Sequence, residues 1–240
     1  MEYSKMLETR HAAVVGGSFG IGRAVSLLFA LHGAKVAIID DDTHASGQTL
    51  TDVKSHSTDS ISVIGDLNDI ESLFERALDK LGYIDILVNA GGIYQTGPLC
   101  LSDPNDFNTM LQSNILRTIR AVKAVVPGMK KHRRGDIITI TSDLAVASLA
   151  DTSAIAACAG AIYAFTRSVT LDYIRYHIRA NCILCPLDAL PGRKPLMGSP
   201  DFSDIANAAL WYACDLSRNI IGEPLLVNGG MRYFTEQTAN

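Results

Sequence analysis

The chain has 240 residues, of which 48% are hydrophobic and 19% charged, and its formal net charge is −4. These values are typical of a globular protein and exclude a disordered or fibrous chain. The weak negative charge argues against nucleic acid as a partner, because phosphate backbones select for clustered Lys and Arg. The one basic run, residues 130–134, ends an apolar helical pattern, where the helix dipole favours cations.

We predict no disulfide framework, because the number of cysteines, five, is odd and the chain is long. Cys182 and Cys185 make a C-x-x-C, but no second pair supplies the other ligands of a zinc site. We therefore expect buried thiols and no metal. The start of the chain has no hydrophobic signal core, and no uninterrupted apolar run reaches the length of a membrane span. We expect a cytoplasmic protein that does not bind membranes.

Short apolar strands alternate with helical patterns along the whole chain. In order they are strand HAAVVGG, helix GIGRAVSLLFALHG, strands KVAIID and SISVIGD, helix DIESLFERALDKLG, strand IDILVNAGG, a helix over residues 103–131, strand GDIITIT, helix SAIAACAGAIYAFTRS, strand IRANCILC, helix FSDIANAALWYACDL and strand EPLLVNGG. Strands that are apolar on both faces and alternate with helices predict a parallel sheet covered on both sides. We predict an α/β fold with one doubly wound sheet of about seven strands, in a single domain over residues 1–240.

A glycine-rich loop, VVGGSFGIGRA, joins the first strand to the first helix. Its spaced glycines are Gly16, Gly20 and Gly22. They permit a tight turn, a close backbone approach to a pyrophosphate and anion binding at the helix N-terminus. Asp40 ends the second strand, where a carboxylate accepts hydrogen bonds from a ribose diol, and Asp41 and Asp42 would repel a 2′-phosphate. The pattern predicts a Rossmann-type domain that binds NAD rather than NADP.

With these residues the chain resembles the short-chain dehydrogenase/reductase family over nearly its whole length. GGSFGIG resembles the glycine motif of the family, VNAGG its N-A-G motif, and QSNILR and ITITSDLA the segments of its catalytic asparagine and serine. The resemblance implies catalytic roles for Asn114 and Ser142. It implies cofactor contacts from Gly16, Ser18, Phe19, Gly20, Ile21, Gly22, Asp40, Asp66, Leu67, Asn89, Ala90, Gly91 and Pro186.

The catalytic tyrosine and lysine of that family are absent. Counted from Ser142, the tyrosine of Y-x-x-x-K falls on Ile155 and the lysine on Ala159, and the segment FTRS downstream gives the same register. Neither residue has an ionisable group, so neither transfers a proton. Asp143 is a candidate for a replacement acid, and the alternative is that it only caps a loop.

The segment after the sixth strand also departs from the family. Leu187 stands where glycine is usual, and residues 186–200 are rich in proline and short for a substrate lid. The adenosine half of the site thus resembles the family, whereas the nicotinamide half is remodelled.

Three functions are compatible with this pattern. The first is an NAD(H)-dependent oxidoreductase that transfers hydride without the tyrosine acid, for example to a cationic iminium, which needs no proton donor on the accepting carbon. The second is a redox-neutral cyclase or isomerase. The third is a non-catalytic NAD-binding partner subunit. The sequence pattern does not identify a substrate.

The helix that begins near Ser153 carries small apolar residues that allow close helix contact. They are Ala154, Ala156, Ala157, Ala159, Gly160 and Ala161. Because members of the resembled family associate through helices beside the active site, the resemblance implies a homodimer or homotetramer. The alternative is that these residues pack only on the chain's own sheet.

Overall fold

The predicted doubly wound sheet is confirmed. A computed structural model describes residues 5–187 and 198–230 and places seven parallel strands in the order β3-β2-β1-β4-β5-β6-β7. The strands are β1 (His11–Val15), β2 (Lys35–Asp40), β3 (Ile61–Ile64), β4 (Ile86–Asn89), β5 (Gly135–Ser142), β6 (Ile178–Cys185) and β7 (Pro224–Leu226).

Helices cover both faces of the sheet. They are α1 (Gly20–Leu31), α2 (Thr43–Lys54), α3 (Ile70–Leu81), α4 (Pro104–Met110), α5 (Arg117–His132), α6 (Ser153–Tyr173) and α7 (Phe202–Ala213). Strand β1 shows how the two cores form. Ala12 and Val14 pack with α1 and α7, while Ala13 and Val15 pack with α3 and α5. Successive side chains point to opposite faces, so a strand buried on both faces must be apolar throughout.

The helix predicted over residues 103–131 is divided into three parts. Helix α4 ends at Met110, a π-helical segment occupies Leu111–Leu116, and α5 begins at Arg117. Asn114 lies within the π-helical segment. Such segments leave a carbonyl without its usual helical partner, and here the Thr118 hydroxyl donates to the Asn114 carbonyl at 2.8 Å.

The two cysteines of the C-x-x-C lie in β6 and are buried, as predicted. Burial raises the pKa of Cys182 to about 12. A thiol with so high a pKa is almost entirely protonated at neutral pH and is therefore a poor nucleophile. The lid expected from residues 186–200 lies for the most part outside the described residues, which resume at Gly198.

Helix α6 requires a correction to the membrane expectation. Within the described residues, the helical stretch Ser153–Tyr176 is long and apolar enough to cross a membrane by length and composition. The sequence expectation considered only uninterrupted apolar runs and so passed over it. The helix lies against β5 and β6, and Ile162 and Val169 are buried there. A core helix of a globular protein passes the same test.

A buried ion-pair network joins the amino ends of the central strands. Arg10, 2% exposed, donates through Nε to Asp85 Oδ2 at 2.5 Å and through Nη2 to Asp136 Oδ2 at 2.7 Å. Arg179 of β6 binds the other oxygen of Asp136, and the Arg10 Nη1 donates to the Ala213 carbonyl at 3.1 Å. One set of charges therefore links β1, β4, β5, β6 and α7.

We expect Arg10→Met to destabilise the fold strongly, because it removes the closest cation from buried Asp85, whose other cation, the half-exposed Arg134, lies at 4.0 Å. Removing one partner of a buried pair costs about 3–5 kcal/mol, which for a chain of this size lowers Tm by roughly 6–20 °C. The control is Arg23→Met, which breaks an ion pair with Asp52 whose side chains are 44% and 50% exposed and should change Tm little. Thermal melts of both variants test this, and equal Tm values for the two would contradict it.

Candidate functional site

The topology locates a crevice between β1 and β4. The chain builds outward from β1 to β3 on one side and from β4 to β7 on the other, so β1 and β4 flank the point where the strand order reverses. Ligands of open parallel sheets bind outside the carboxyl ends of the strands at this point. The loops after β1 and β4 therefore form the floor of the candidate site.

The glycine loop requires glycine for steric reasons. A Cβ atom at Gly22 would lie 1.9 Å from the Gly16 carbonyl oxygen, and one at Gly16 would lie 2.8 Å from Gly91. Gly16 also has a φ of +72°. The N-cap of α1 is Phe19, 78% exposed, and its side chain makes no capping hydrogen bond. The first amides of α1 therefore face the crevice without a side-chain cap, in the arrangement that binds phosphate.

Asp40 is fixed by the glycine loop. It is 7% exposed, and its Oδ2 accepts hydrogen bonds from the Ser18 amide at 2.9 Å and the Ser18 hydroxyl at 2.5 Å. Its Oδ1 accepts from the Asp41 amide at 2.9 Å. Burial raises the pKa of Asp41, and its hydrogen bond and charge interaction with Asp40 raise it further. Asp42 caps α2 by accepting from the Ala45 amide at 2.9 Å.

The remaining predicted contacts of the adenosine half lie at the ends of two strands, β3 and β4. Asp66 follows β3 and is exposed, and its Oδ1 accepts from the amide and side chain of Asn68. Leu67 is buried next to it. Asn89 is buried at the end of β4, where its Nδ2 donates to Thr139 Oγ1 at 3.4 Å and its Oδ1 has no hydrogen-bond partner. The Ala90 amide donates to the Val15 carbonyl. The cofactor roles of these residues remain predictions.

Ser142 and Asp143 lie side by side in the interior. Both are fully buried. Ser142 Oγ accepts from the Leu144 amide at 3.2 Å, and Asp143 Oδ2 accepts from Asn228 Nδ2 at 3.1 Å. Both side chains thus support the turn after β5. Pro186, also buried, follows β6 at the same end of the sheet.

Ile155 belongs to a small apolar cluster at the position where the resembled family has its tyrosine. The fully buried side chain packs with Met110, Leu144 and Cys158, and Leu187 packs against the same cluster. Ala159 is buried one helical turn further on. The place expected to hold an acid is therefore filled with hydrocarbon.

Asn114 holds the loop that follows β4. Its Oδ1 accepts from the Ile93 amide at 2.8 Å and its Nδ2 donates to the Ile93 carbonyl at 2.7 Å. The side chain therefore binds both backbone groups of one loop residue. Next to this loop is a cavity of about 200 Å³, lined by residues of the loop, of α4 and of the start of α6, among them Phe107, Met110 and Asp151.

Two residues of the site were not predicted from the sequence. Tyr94 turns back over Gly92, where a Cβ atom would lie 2.9 Å from the Tyr94 hydroxyl. Arg117, at the start of α5, donates through Nη2 to the Gly91 carbonyl at 3.0 Å. Burial lowers the pKa of Arg117, and the charges of Asp41, Tyr94 and Asp40 oppose that shift. The available signal for Arg117 was the arginine that ends the segment QSNILR, three positions after Asn114.

The family model described as short chain dehydrogenase matches residues 10–189. The chain belongs to the short-chain dehydrogenase family. Members of the family typically use NAD(P), and the family resemblance drawn from the motifs is confirmed. The oxidoreductase label holds at the level of the family.

Three similar proteins illustrate the match to the short-chain dehydrogenase family. A 7alpha-hydroxysteroid dehydrogenase of Clostridium sardiniense is 31% identical, with 97% of each chain covered. A (2S)-[(R)-hydroxy(phenyl)methyl]succinyl-CoA dehydrogenase subunit of Thauera aromatica is 28% identical, with 95% of this chain and 98% of that one covered. A crystal structure of a short-chain dehydrogenase/reductase from Burkholderia xenovorans has a TM-score of 0.89 at 27% identity, covering 97% of this chain and 100% of that one.

Proposed function

We propose that this chain is a non-catalytic member of the short-chain dehydrogenase family that binds NAD(H) through its adenosine half. The observation that carries the proposal is the burial of Ile155 in an apolar cluster with Leu144 and Leu187. Loss of a general acid costs about 10²–10⁴ in rate. The neighbouring candidates, Ser142 and Asp143, are buried and hydrogen-bonded within the turn after β5.

The residues present fit the adenosine half of the cofactor. Because Gly16 and Gly91 have no side chains, the space beside them is open to a pyrophosphate. The first amides of α1 face this space. Asp40, oriented by Ser18, would hold the ribose diol. Bound NAD(H) supplies a hydride donor or acceptor. In our proposal the chain binds the cofactor, but the side chain of Ile155 cannot donate or accept a proton.

A partner role is compatible with the relatives. The Thauera relative is, by its name, one subunit of a dehydrogenase. We propose that this chain likewise stabilises or supplements another subunit. Cytoplasmic residence also remains a prediction.

A second candidate is hydride transfer to a cationic iminium. One observation favours it: the cavity of about 200 Å³ is bordered by three carboxylates, Asp103, Asp106 and Asp151. Negative charge there would attract a cation. A hydride-transfer screen with NADH that includes cyclic iminium compounds separates this candidate from the non-catalytic one, since turnover in that screen would reject the latter.

We expect NAD(H) to bind at least tenfold more tightly than NADP(H), because Asp40 and Asp41 would repel a 2′-phosphate by about 1.4 kcal/mol or more. Asp41→Ala should reduce the difference between the two dissociation constants while keeping the hydrogen bonds between Ser18 and Asp40. Asp40→Ala should reduce that difference further. Isothermal titration of both cofactors provides the measurement. Asp52→Ala, an exposed residue on α2, is the control. Equal dissociation constants in the unmodified protein would reject cofactor selection.

We expect the double variant Ile155→Tyr with Ala159→Lys to remain inactive toward ketones. Both positions are buried, so the tyrosine overpacks the apolar cluster and the lysine places a charge in it. The assay is NADH consumption against a ketone panel, with a thermal melt to show folding. The size-matched control is Ile155→Phe with Ala159→Met. Turnover well above this control in a folded double variant would show that only two side chains are missing.

We also propose a homodimer or homotetramer, as is common in the family. On α6, Ala157 and Ala164 are exposed although the helix is apolar, which supports burial against a second copy. Light scattering at micromolar concentration should give a multiple of 25.8 kDa, and Ala157→Glu should shift it toward the monomer. A monomer in the unmodified protein would refute assembly through this face.

A further inference from the structure

The two side chains that sequence motifs did not predict, Tyr94 and Arg117, both lie in the crevice. The glycine loop and Asp40 form its first half, over β1 and β2. The carboxyl ends of β4, β5 and β6 form its second half, where a dinucleotide places its second nucleoside.

Tyr94 occupies the second half. The Tyr94 hydroxyl and Asn114 Oδ1 both lie against Gly92: a Cβ atom added there would be 2.9 Å from the hydroxyl and 2.8 Å from Asn114 Oδ1. Burial raises the pKa of Tyr94, and the neighbouring Cys185 and Cys158 add to the rise. Cys185 is the last residue of β6, so the phenol reaches the end of that strand. Over the whole residue, Tyr94 remains 37% exposed.

A tyrosine with a raised pKa is poorly suited to release a proton near neutral pH. The phenol lies close to Gly92 and to Asn114 at the carboxyl end of the sheet, and this position makes it a filler of the second half rather than a relocated acid.

Arg117 lies at the junction of the two halves. Its Nη2 donates to the carbonyl of Gly91. The backbone of Gly91 approaches Gly16 so closely that a Cβ atom at Gly16 would lie 2.8 Å from it. Within residues 5–187 and 198–230, no carboxylate lies at ion-pair distance from Arg117. Among the described residues, the five N–H donors of this partly buried guanidinium therefore have no carboxylate partner. A phosphate at the first amides of α1 would provide a charged partner.

We infer that the crevice recognises an adenine nucleotide ending at its phosphates, with Arg117 binding the phosphates and Tyr94 excluding the nicotinamide nucleoside. The inference rests on the proposed function and narrows it. The ADP moiety of NAD(H) supplies the affinity, and the second nucleoside adds nothing to it. ADP itself then becomes a ligand of the same site.

The first experiment needs no variant. Isothermal titration of the full chain with ADP, NAD⁺ and adenosine should give ADP and NAD⁺ dissociation constants within about threefold of each other, and weaker binding of adenosine. Tenfold tighter binding of NAD⁺ than of ADP would overturn the inference while leaving the proposed function intact. Failure of all three ligands to bind would overturn both.

Variants then assign the roles. Tyr94→Ala should open the second half and improve NAD⁺ binding about tenfold, with ADP unchanged, whereas Tyr94→Phe keeps the ring and should behave as the unmodified protein. Arg117→Met should weaken ADP about tenfold or more and leave adenosine unchanged. Arg120→Met, one turn along α5 and partly exposed, is its control. An unchanged ratio of NAD⁺ to ADP affinity in Tyr94→Ala would refute the exclusion by Tyr94.

Discussion

The close approach of two backbones at Gly16 and Gly91 is the constraint on which the site depends. A Cβ atom at Gly16 would lie 2.8 Å from Gly91, and one at Gly22 would lie 1.9 Å from the Gly16 carbonyl. Without side chains there, the loop after β1 packs against the loop after β4 and α1 points its amino end into the crevice. Any larger residue would separate these loops and displace the helix dipole from the phosphate position.

The fold was predictable because its elements follow simple periods. Strand β1 is apolar from Ala12 to Val15 since both of its faces are covered there, and α3 has one buried stripe. Two features of the fold could not be predicted from such periods. Helix α2 is mostly polar and contains Gly47, so its period is weak, and it is held by the Asp42 cap. The π-helical segment at Asn114 depends on tertiary contacts with Ile93, which no local pattern encodes.

The site was predictable only where chemistry follows a fixed spacing along the chain. The glycines and Asp40 stand in that spacing, and the structure brings them together through Ser18. Tyr94 lies outside the motifs, and Arg117 ends the segment QSNILR, whose recognised residue is Asn114. Tyr94 reaches the crevice from a loop and Arg117 from α5. Their positions follow from packing, which depends on the three-dimensional arrangement of the strands.

In our proposal, the missing acid and the position of Tyr94 follow from one physical constraint. Protein interiors are packed at nearly constant density, so replacement of the family's tyrosine and lysine by smaller residues would leave volume that other side chains must take. Ile155 packs with Leu144 and Leu187, Ala159 is buried on the same helix, and the Tyr94 phenol lies near Gly92. The two substitutions are therefore coupled to their surroundings, as neighbouring sites in one core generally are. In this proposal, restoring a family active site would require repacking around positions 155 and 159 as well as replacement of Ile155 and Ala159, because both side chains are buried.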